Sequence, residues 1–285
     1  MLKVGMIGLG AMGQGMAKNL ANAQFLNTIY NRTTEKAHVF AQNFAIQIAL
    51  SPEELAKNVD VIFICVSRDD DLLSVVNALT KTIRPRTIVI DMSTVSSNTA
   101  KQAAAILAVY DVDFLDAPVS GGVEGANNGT LAMMIGGDSD VLEKVRPILD
   151  SMATRIVHIG ETGTGQATKA VNQIMGAGIN QAVTEALAFA KAQNLPMDKI
   201  IDVISNGASG NWFLQNRGVT MTKGDYPAGF KVVLHHKDLA ICEKMGKELD
   251  ISLPLTTQTR LDYEDLMATG FGDCDISALY HLKVK

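Results

Sequence analysis

The chain has 285 residues, enough for one large or two ordinary domains at about 150 residues per domain. Its 25 Lys and Arg against 30 Asp and Glu leave a net charge of −5, which excludes a surface built to hold nucleic acid or anionic lipid. Hydrophobic residues make up 47% but aromatics only 5%, so the core must be aliphatic, with 24 glycines available for close backbone contacts. Cys65, Cys242 and Cys274 are odd in number and lack metal-like spacing, which fits a reducing compartment better than a disulfide framework. The start of the chain, Met1–Ile7, lacks the basic region and apolar run of a signal peptide, and no apolar stretch approaches the length of a membrane span. A cytoplasmic protein with no membrane partner is expected.

Short aliphatic runs alternate with helical patterns over the first 160 residues or so, as parallel strands and crossover helices do. The strand candidates are Lys3–Ile7, Asn27–Asn31, Val61–Val66, Thr87–Asp91, Asp113–Ala117, Ala132–Gly136 and Ile156–Ile159. Val61-Ile62-Phe63-Ile64-Cys65-Val66 reads as a strand covered on both faces. Ser51-Pro52-Glu53-Glu54 is a helix start, with a capping Ser, Pro in the first turn and then acids. Past Gly160 the texture changes. Glu161-Thr162-Gly163-Thr164-Gly165 reads as a flexible joint, and from Gln166 to Gln193 no Pro interrupts a long, nearly all-apolar helix. Such a helix is expected inside a bundle or at a subunit interface, so a homodimer or homotetramer is expected. The fold class is therefore α/β: a Rossmann-type doubly wound sheet over 1–161, then a long connecting helix within an all-helical substrate and dimerisation domain over 162–285.

Gly8-Leu9-Gly10-Ala11-Met12-Gly13 lies between the first strand and a helix over Met12–Asn22. In that place the first Gly makes the turn, the second lets a pyrophosphate approach, and the third lets helix and strand pack. A nicotinamide dinucleotide is implied. The next strand ends in Tyr30-Asn31-Arg32-Thr33 with no carboxylate for a ribose hydroxyl, and Arg32 can pair with a 2′-phosphate. NADP is the expected cofactor, with NAD possible; a solvated loop charge is the alternative for Arg32.

On the long helix Lys169, Asn172, Gln173 and Gly176 share one face at i, i+3, i+4 and i+7. A Lys on an apolar helix is costly unless it is partnered or neutral, and a lowered pKa suits a general acid/base. The alternative is a Lys that reaches solvent. Asp116-Ala117-Pro118-Val119-Ser120-Gly121-Gly122 stands at the C-terminal end of a strand, where a hydroxyl and bare backbone N–H groups could hold a small carboxylate.

These residues resemble the β-hydroxyacid dehydrogenases, and the likeness covers essentially the whole chain. Its cofactor motif is matched by residues 8–20, its substrate motif by 116–122, its catalytic helix by 165–173 and its C-terminal motif by 230–239. The resemblance implies that Lys169 is the acid/base and that Ser120, Gly121 and Gly122 hold the carboxylate of a small substrate. It further implies that Asn172 and Gln173 orient the reacting oxygen, with Phe230 and Asp238 at the substrate. Gly8–Gly13, Asn31, Arg32 and Thr33 would hold the cofactor, together with Val66, Ser67, Thr94 and Lys237. Gln173 stands where many members have a second Asn, as in the tartronate semialdehyde reductases, and Ser67 replaces a common Pro. A non-catalytic NADP-binding module and an NAD-preferring 3-hydroxyisobutyrate dehydrogenase remain the alternatives. A decarboxylating 6-phosphogluconate dehydrogenase would need a longer C-terminal region.

Other features invite blander readings. His235-His236 lacks a third ligand at metal spacing and is expected on a helix surface, so no metal is expected. Cys65 reads as a small core hydrophobe, Glu53-Glu54 and Asp69-Asp70-Asp71 as helix-start and loop charges on solvated faces, and Trp212-Phe213 as packing between helices or a wall of the substrate site.

Overall fold

A computed structural model describes residues 2–284. The chain divides into two compact units, Met1–Lys169 and Ala170–Lys285. The first unit begins β1 (Val4–Ile7), α1 (Ala11–Asn22), β2 (Leu26–Tyr30), α2 (Thr34–Ala41), β3 (Gln47–Ile48) and α3 (Pro52–Ala56). There follow β4 (Val61–Ile64), α4 (Asp69–Leu79), β5 (Ile88–Asp91), α5 (Ser97–Ala108) and β6 (Asp113–Asp116). It closes with β7 (Val119–Ser120), α6 (Gly122–Asn128), β8 (Leu131–Gly136), α7 (Ser139–Leu149) and β9 (Ala153–Gly160). The long helix α8 (Thr164–Ala192) begins in this unit and ends in the next.

The sheet runs β3-β2-β1-β4-β5-β6-β8-β7, with β9 on β8. Strands β1 to β6 are all parallel, in the order of a doubly wound dinucleotide fold, and the order reverses between β1 and β4. Side chains of β4 alternate between the two faces. Val61 and Phe63 join one core with α1 and α7, while Ile62 and Ile64 join another with α3, α4 and α5. That double burial is why the strand is apolar at every position.

The expectation of parallel strands throughout needs correcting at one edge. Strand β8 is antiparallel to β6 and β7, pairing Asp116 with Gly136 and Ser120 with Ala132. The seven residues of α6 span only about 10 Å, too short to carry the chain back across the sheet. The next strand therefore starts where β7 ended and runs the other way. β3 and β7, two residues each, are too short to show a pattern and were not expected.

The helix start at Ser51 forms as its sequence dictates: Ser51 Oγ accepts from Glu54 N, and Pro52 occupies the first turn. Asp69 stands at a helix start as expected, but it is half-buried and bonded rather than solvated. Its carboxylate accepts from Ser96 N and from the Thr99 hydroxyl, joining the first turn of α4 to that of α5. Burial pushes its pKa up, but those hydrogen bonds outweigh it and hold Asp69 below the usual aspartate range.

The second unit is helical: the rest of α8, then α9 (Met197–Ser205), α10 (Trp212–Thr222), α11 (Val232–Glu248), α12 (Pro254–Ala268), a single 3₁₀ turn at Ile276–Ala278, and α13 (Leu279–Lys283). Its core gathers Ala177, Val183 and Leu187 of α8 with Leu214, Leu239, Tyr263 and Leu279. Among the described residues, no helix is long and apolar enough to cross a membrane.

Candidate functional site

The ends of the parallel strands position the first set of residues. Gly8 follows β1 at φ +99°, and a Cβ there would lie 2.1 Å from the carbonyl oxygen of Cys65. A Cβ at Gly13 would lie 2.0 Å from the Gly8 oxygen, so both glycines are required by packing. Gly10 differs: a Cβ there meets nothing within 4 Å. Gly10 also caps α1 and gives the N–H groups of its first turn no side-chain hydrogen bond. The protein itself has no need of a glycine at position 10, whereas an anion approaching the helix start does. A nicotinamide dinucleotide fits the residues present.

Asn31 holds this loop from the next strand. Its Oδ1 accepts from Leu9 N at 2.8 Å, and its Nδ2 donates to Thr33 O at 2.8 Å. Arg32 is exposed, and its guanidinium lies 3.0 Å from the carboxylate of Asp71 in the first turn of α4. The end of β2 carries no acid of its own, but the fold delivers one from a distant helix. Past β4, Val66 N donates to Ser93 Oγ at 2.9 Å, with exposed Ser67 next in the chain and half-buried Thr94 beside Ser93.

A buried network sets the start of α8. Asp116, at the end of β6, accepts from Gly163 N at 2.7 Å and Gln166 N at 2.9 Å. Gln166 Oε1 accepts from Val95 N, and its Nε2 donates to Ser93 O at 2.8 Å. The segment Glu161–Gly165 is thus a bonded corner, which corrects its reading as a flexible joint. It is also why the first unit extends to Lys169. Burial pushes the Asp116 pKa above the ordinary aspartate value, against the pull of those backbone N–H groups. Lys169 follows one turn into the helix and is buried, with 7% of its surface exposed. Ser120 and half-buried Gly122 flank Gly121, and the two glycines have φ of +135° and +64°. Neither backbone suits a residue with a side chain.

In the second unit, four expected residues form one chain of hydrogen bonds. Asn172 Nδ2 donates to Gln173 Oε1 at 2.8 Å, and Gln173 Nε2 donates to Asp238 Oδ2 at 2.7 Å. Lys237 Nζ lies 2.8 Å from Asp238 Oδ1. Gln173 and Asp238 are buried, so each fixes the other's rotamer. Beside them is a cavity of about 240 Å³ with Asn172, Gln173 and His235 on its polar edge and Phe230 on its apolar wall.

His235 is not on the helix surface as expected. It is 1% exposed, with Nδ1 3.1 Å from the Tyr263 hydroxyl and Nε2 3.2 Å from the Gln173 carbonyl oxygen. Tyr263 Oη also accepts from Asn180 Nδ2, and because the Gln173 carbonyl oxygen can only accept, His235 Nε2–H donates to it. Burial drives the Tyr263 pKa far upward, keeping that hydroxyl a donor. Sequence reasoning misplaced His235 and missed the partner of Asp71, the anchoring by Gln166 and the role of Asp116. Only the place of Asp116 at a strand end gave any signal. Among the described residues, no group of three or more His, Cys, Asp or Glu could hold a metal ion.

Residues 3–160 match the model of the NAD binding domain of 6-phosphogluconate dehydrogenase. Residues 163–283 match the NAD-binding domain of NADP-dependent 3-hydroxyisobutyrate dehydrogenase. The chain belongs to the β-hydroxyacid dehydrogenase family. It is an NAD(P)-dependent oxidoreductase. A Shewanella frigidimarina protein named an uncharacterized oxidoreductase is 37% identical over 98% of this chain and 97% of its own length. The 2-hydroxy-3-oxopropionate reductase of Escherichia coli is 34% identical over 98% of this chain and 96% of that enzyme. The 3-hydroxyisobutyrate dehydrogenase of Mycobacterium tuberculosis, solved with L-serine, superposes with a TM-score of 0.91 at 29% identity, covering 99% of each chain.

The contrast between the two kinds of glycine is testable in this dehydrogenase. Gly13→Ala should lower the melting temperature by several degrees, because its Cβ meets backbone. Gly10→Ala should melt with the wild type yet bind NADPH at least ~10-fold more weakly by nucleotide fluorescence titration. Equal binding by Gly10→Ala and the wild type would remove the dinucleotide from this loop.

Proposed function

We propose that this chain reduces a short aldehyde- or keto-acid to its hydroxyacid, and runs the reverse oxidation, with NADP(H) preferred and Lys169 as the general acid/base. The observation that carries this reading is a buried Lys169 one turn beyond a helix start that Asp116 and Gln166 fasten to the sheet. NADPH, when bound, supplies the hydride for the carbonyl carbon. Lys169 then gives a proton to the forming alkoxide, and as an ammonium it stabilises the negative charge that develops there. In the reverse direction Lys169 accepts that proton from the hydroxyl.

The remaining residues position the reactants. Asn172 faces the reacting oxygen, and Gln173 orients it, since its own carbonyl is taken by Asn172 and one of its N–H groups by Asp238. Ser120, Gly121 and Gly122 hold the substrate carboxylate, and Phe230 stands at the substrate. Clamping both ends of a small acid turns binding energy into orientation. The Gly8–Gly13 loop, Asn31, Thr33, Val66, Ser67 and Thr94 hold the cofactor, with Lys237 from the helical unit. In this reading residues 1–161 serve the cofactor, and residues 162–285 serve substrate and assembly. The preference for NADP rests on Arg32. Its surface ion pair with Asp71 is worth about 0–1 kcal/mol, weak enough for a doubly charged 2′-phosphate to displace.

A homodimer or homotetramer is part of the same proposal. The isolated chain leaves Val171, Met175 and Phe189 of α8 exposed at helical spacing, an apolar stripe suited to a second copy.

Lys169→Ala should abolish nearly all turnover of small aldehyde-acids while leaving NADPH affinity within severalfold of the wild type; retained turnover would refute the role of Lys169. For the cofactor, Arg32→Ala should raise KM for NADPH at least ~10-fold more than KM for NADH, and equal effects would make Arg32 a bystander. Sedimentation should find an oligomer that Met175→Glu with Phe189→Glu converts to monomer; a monomeric wild type would rule the interface out.

A further inference from the structure

Arg32, the expected partner of a 2′-phosphate, is already paired within the chain. Its Nη1 donates to Asp71 Oδ1 at 3.0 Å, joining the loop after β2 to the first turn of α4 across 39 residues. The two side chains are held very differently. That of Arg32 is 84% exposed, and that of Asp71 is 27% exposed. Asp69, in the same turn, accepts from Ser96 N and the Thr99 hydroxyl and so pins the start of α4 to α5. Asp71 is therefore a fixed anion on an anchored helix, and Arg32 is an arm in water that reaches it.

A doubly wound fold that selects NAD places an Asp or Glu at the end of its second strand, where the acid accepts from a ribose hydroxyl. Here β2 ends at Tyr30, Asn31 and Arg32 follow, and the acid arrives from α4 instead. Its carboxylate and a 2′-phosphate draw on the same guanidinium. A phosphate monoester carries about −1.5 to −2 charges at pH 7, so it attracts Arg32 more strongly than a single carboxylate does. To gain that contact it must draw Arg32 away from Asp71 or share it, and part of the attraction is spent on breaking the pair. The ribose hydroxyl of NAD(H) carries no charge and leaves the pair undisturbed.

We propose that Asp71 tunes the cofactor preference by competing with the 2′-phosphate for Arg32, and so holds the preference for NADP(H) below what Arg32 alone would give. It acts as a positioning residue, through the side chain that meets the phosphate. The proposal rests on the reading of Arg32 given above and adds the residue that limits it. NAD(H) stays usable, because its binding asks nothing of the Arg32–Asp71 pair.

The test is equilibrium binding of NADPH and NADH, followed by nucleotide fluorescence without any substrate, and its readout is the ratio of the NADH to the NADPH dissociation constant. Asp71→Asn keeps the shape of the side chain and removes its charge. It should raise that ratio ~3–5-fold, the range set by an exposed ion pair. Asp71→Glu, which keeps the charge, should stay within ~2-fold of the wild-type ratio. With Arg32→Ala already in place, Asp71→Asn should move the ratio by less than ~1.5-fold, because no guanidinium is left to contest. A general loss of fold weakens both cofactors together and does not raise the ratio. A ratio unchanged or lowered in Asp71→Asn, or a rise of the same size with Arg32→Ala in place, would overturn the proposal. The single variant Arg32→Ala separates the two levels. If it keeps the wild-type ratio, the reading of Arg32 fails and the competition fails with it. If its ratio falls while Asp71→Asn leaves the ratio alone, Arg32 keeps its role and only the competition is refuted.

Discussion

The carboxylate of Asp116 fixes where the long helix begins, and with it where Lys169 stands. It is fully buried at the end of β6 and accepts the backbone N–H groups of Gly163 and Gln166, which a helix start would otherwise leave unpaired. Losing those bonds would strand buried donors at a cost of about 1–3 kcal/mol each. Space for this contact comes from two small residues. A Cβ on Gly136 would lie 2.4 Å from the Asp116 carboxylate, and one on Gly165 would lie 2.4 Å from the Met134 carbonyl. The corner is therefore tight because its neighbours have no side chains.

Gln166 extends that anchor to the strand ends. Through Ser93 and Val95 it ties the helix start to the loop after β5, and Ser93 in turn holds Val66 after β4. The segments expected to contact the nicotinamide and the helix start that precedes Lys169 are thus parts of one hydrogen-bonded assembly within the first unit. In the second unit the chain from Lys237 through Asp238 and Gln173 to Asn172 does the same for the amide. Asn172, Gln173, Asp238 and Lys237 are each held by a neighbour in that chain, which limits the rotamer freedom of all four.

Much of this is legible in the order of the residues alone. Strand β4 shows itself by apolar residues at every position, and the cap at Ser51 by its Pro and acids. The stripe Lys169, Asn172 and Gln173 follows from helical spacing. His235 cannot be read in the same way. Next to His236 on an apparently ordinary helix it looks exposed, yet it is buried against Tyr263 and Gln173, residues far away in the chain. Arg32 is legible as the cation after β2, but the Asp71 that pairs with it comes from another helix.

The sequence by itself determined the βαβ order, the glycine-rich turn before α1, the long helix and the residues on its polar face. All of these are written in spacings of a few residues, where backbone geometry alone decides which groups are neighbours. Only the tertiary structure decided what each of those groups faces. Asp116 meets Gly163 and Gln166 across 47 and 50 residues of chain. Gln173 meets Asp238 across 65, and the wall of the cavity is drawn from four separate segments. Such meetings depend on how whole elements pack, and no local pattern records them. Length allowed one large or two ordinary domains, and the net charge of −5 argued against a surface built for polyanions. It took the packing to bury Lys169 beyond a fastened helix start and to set an apolar cavity beside Asn172.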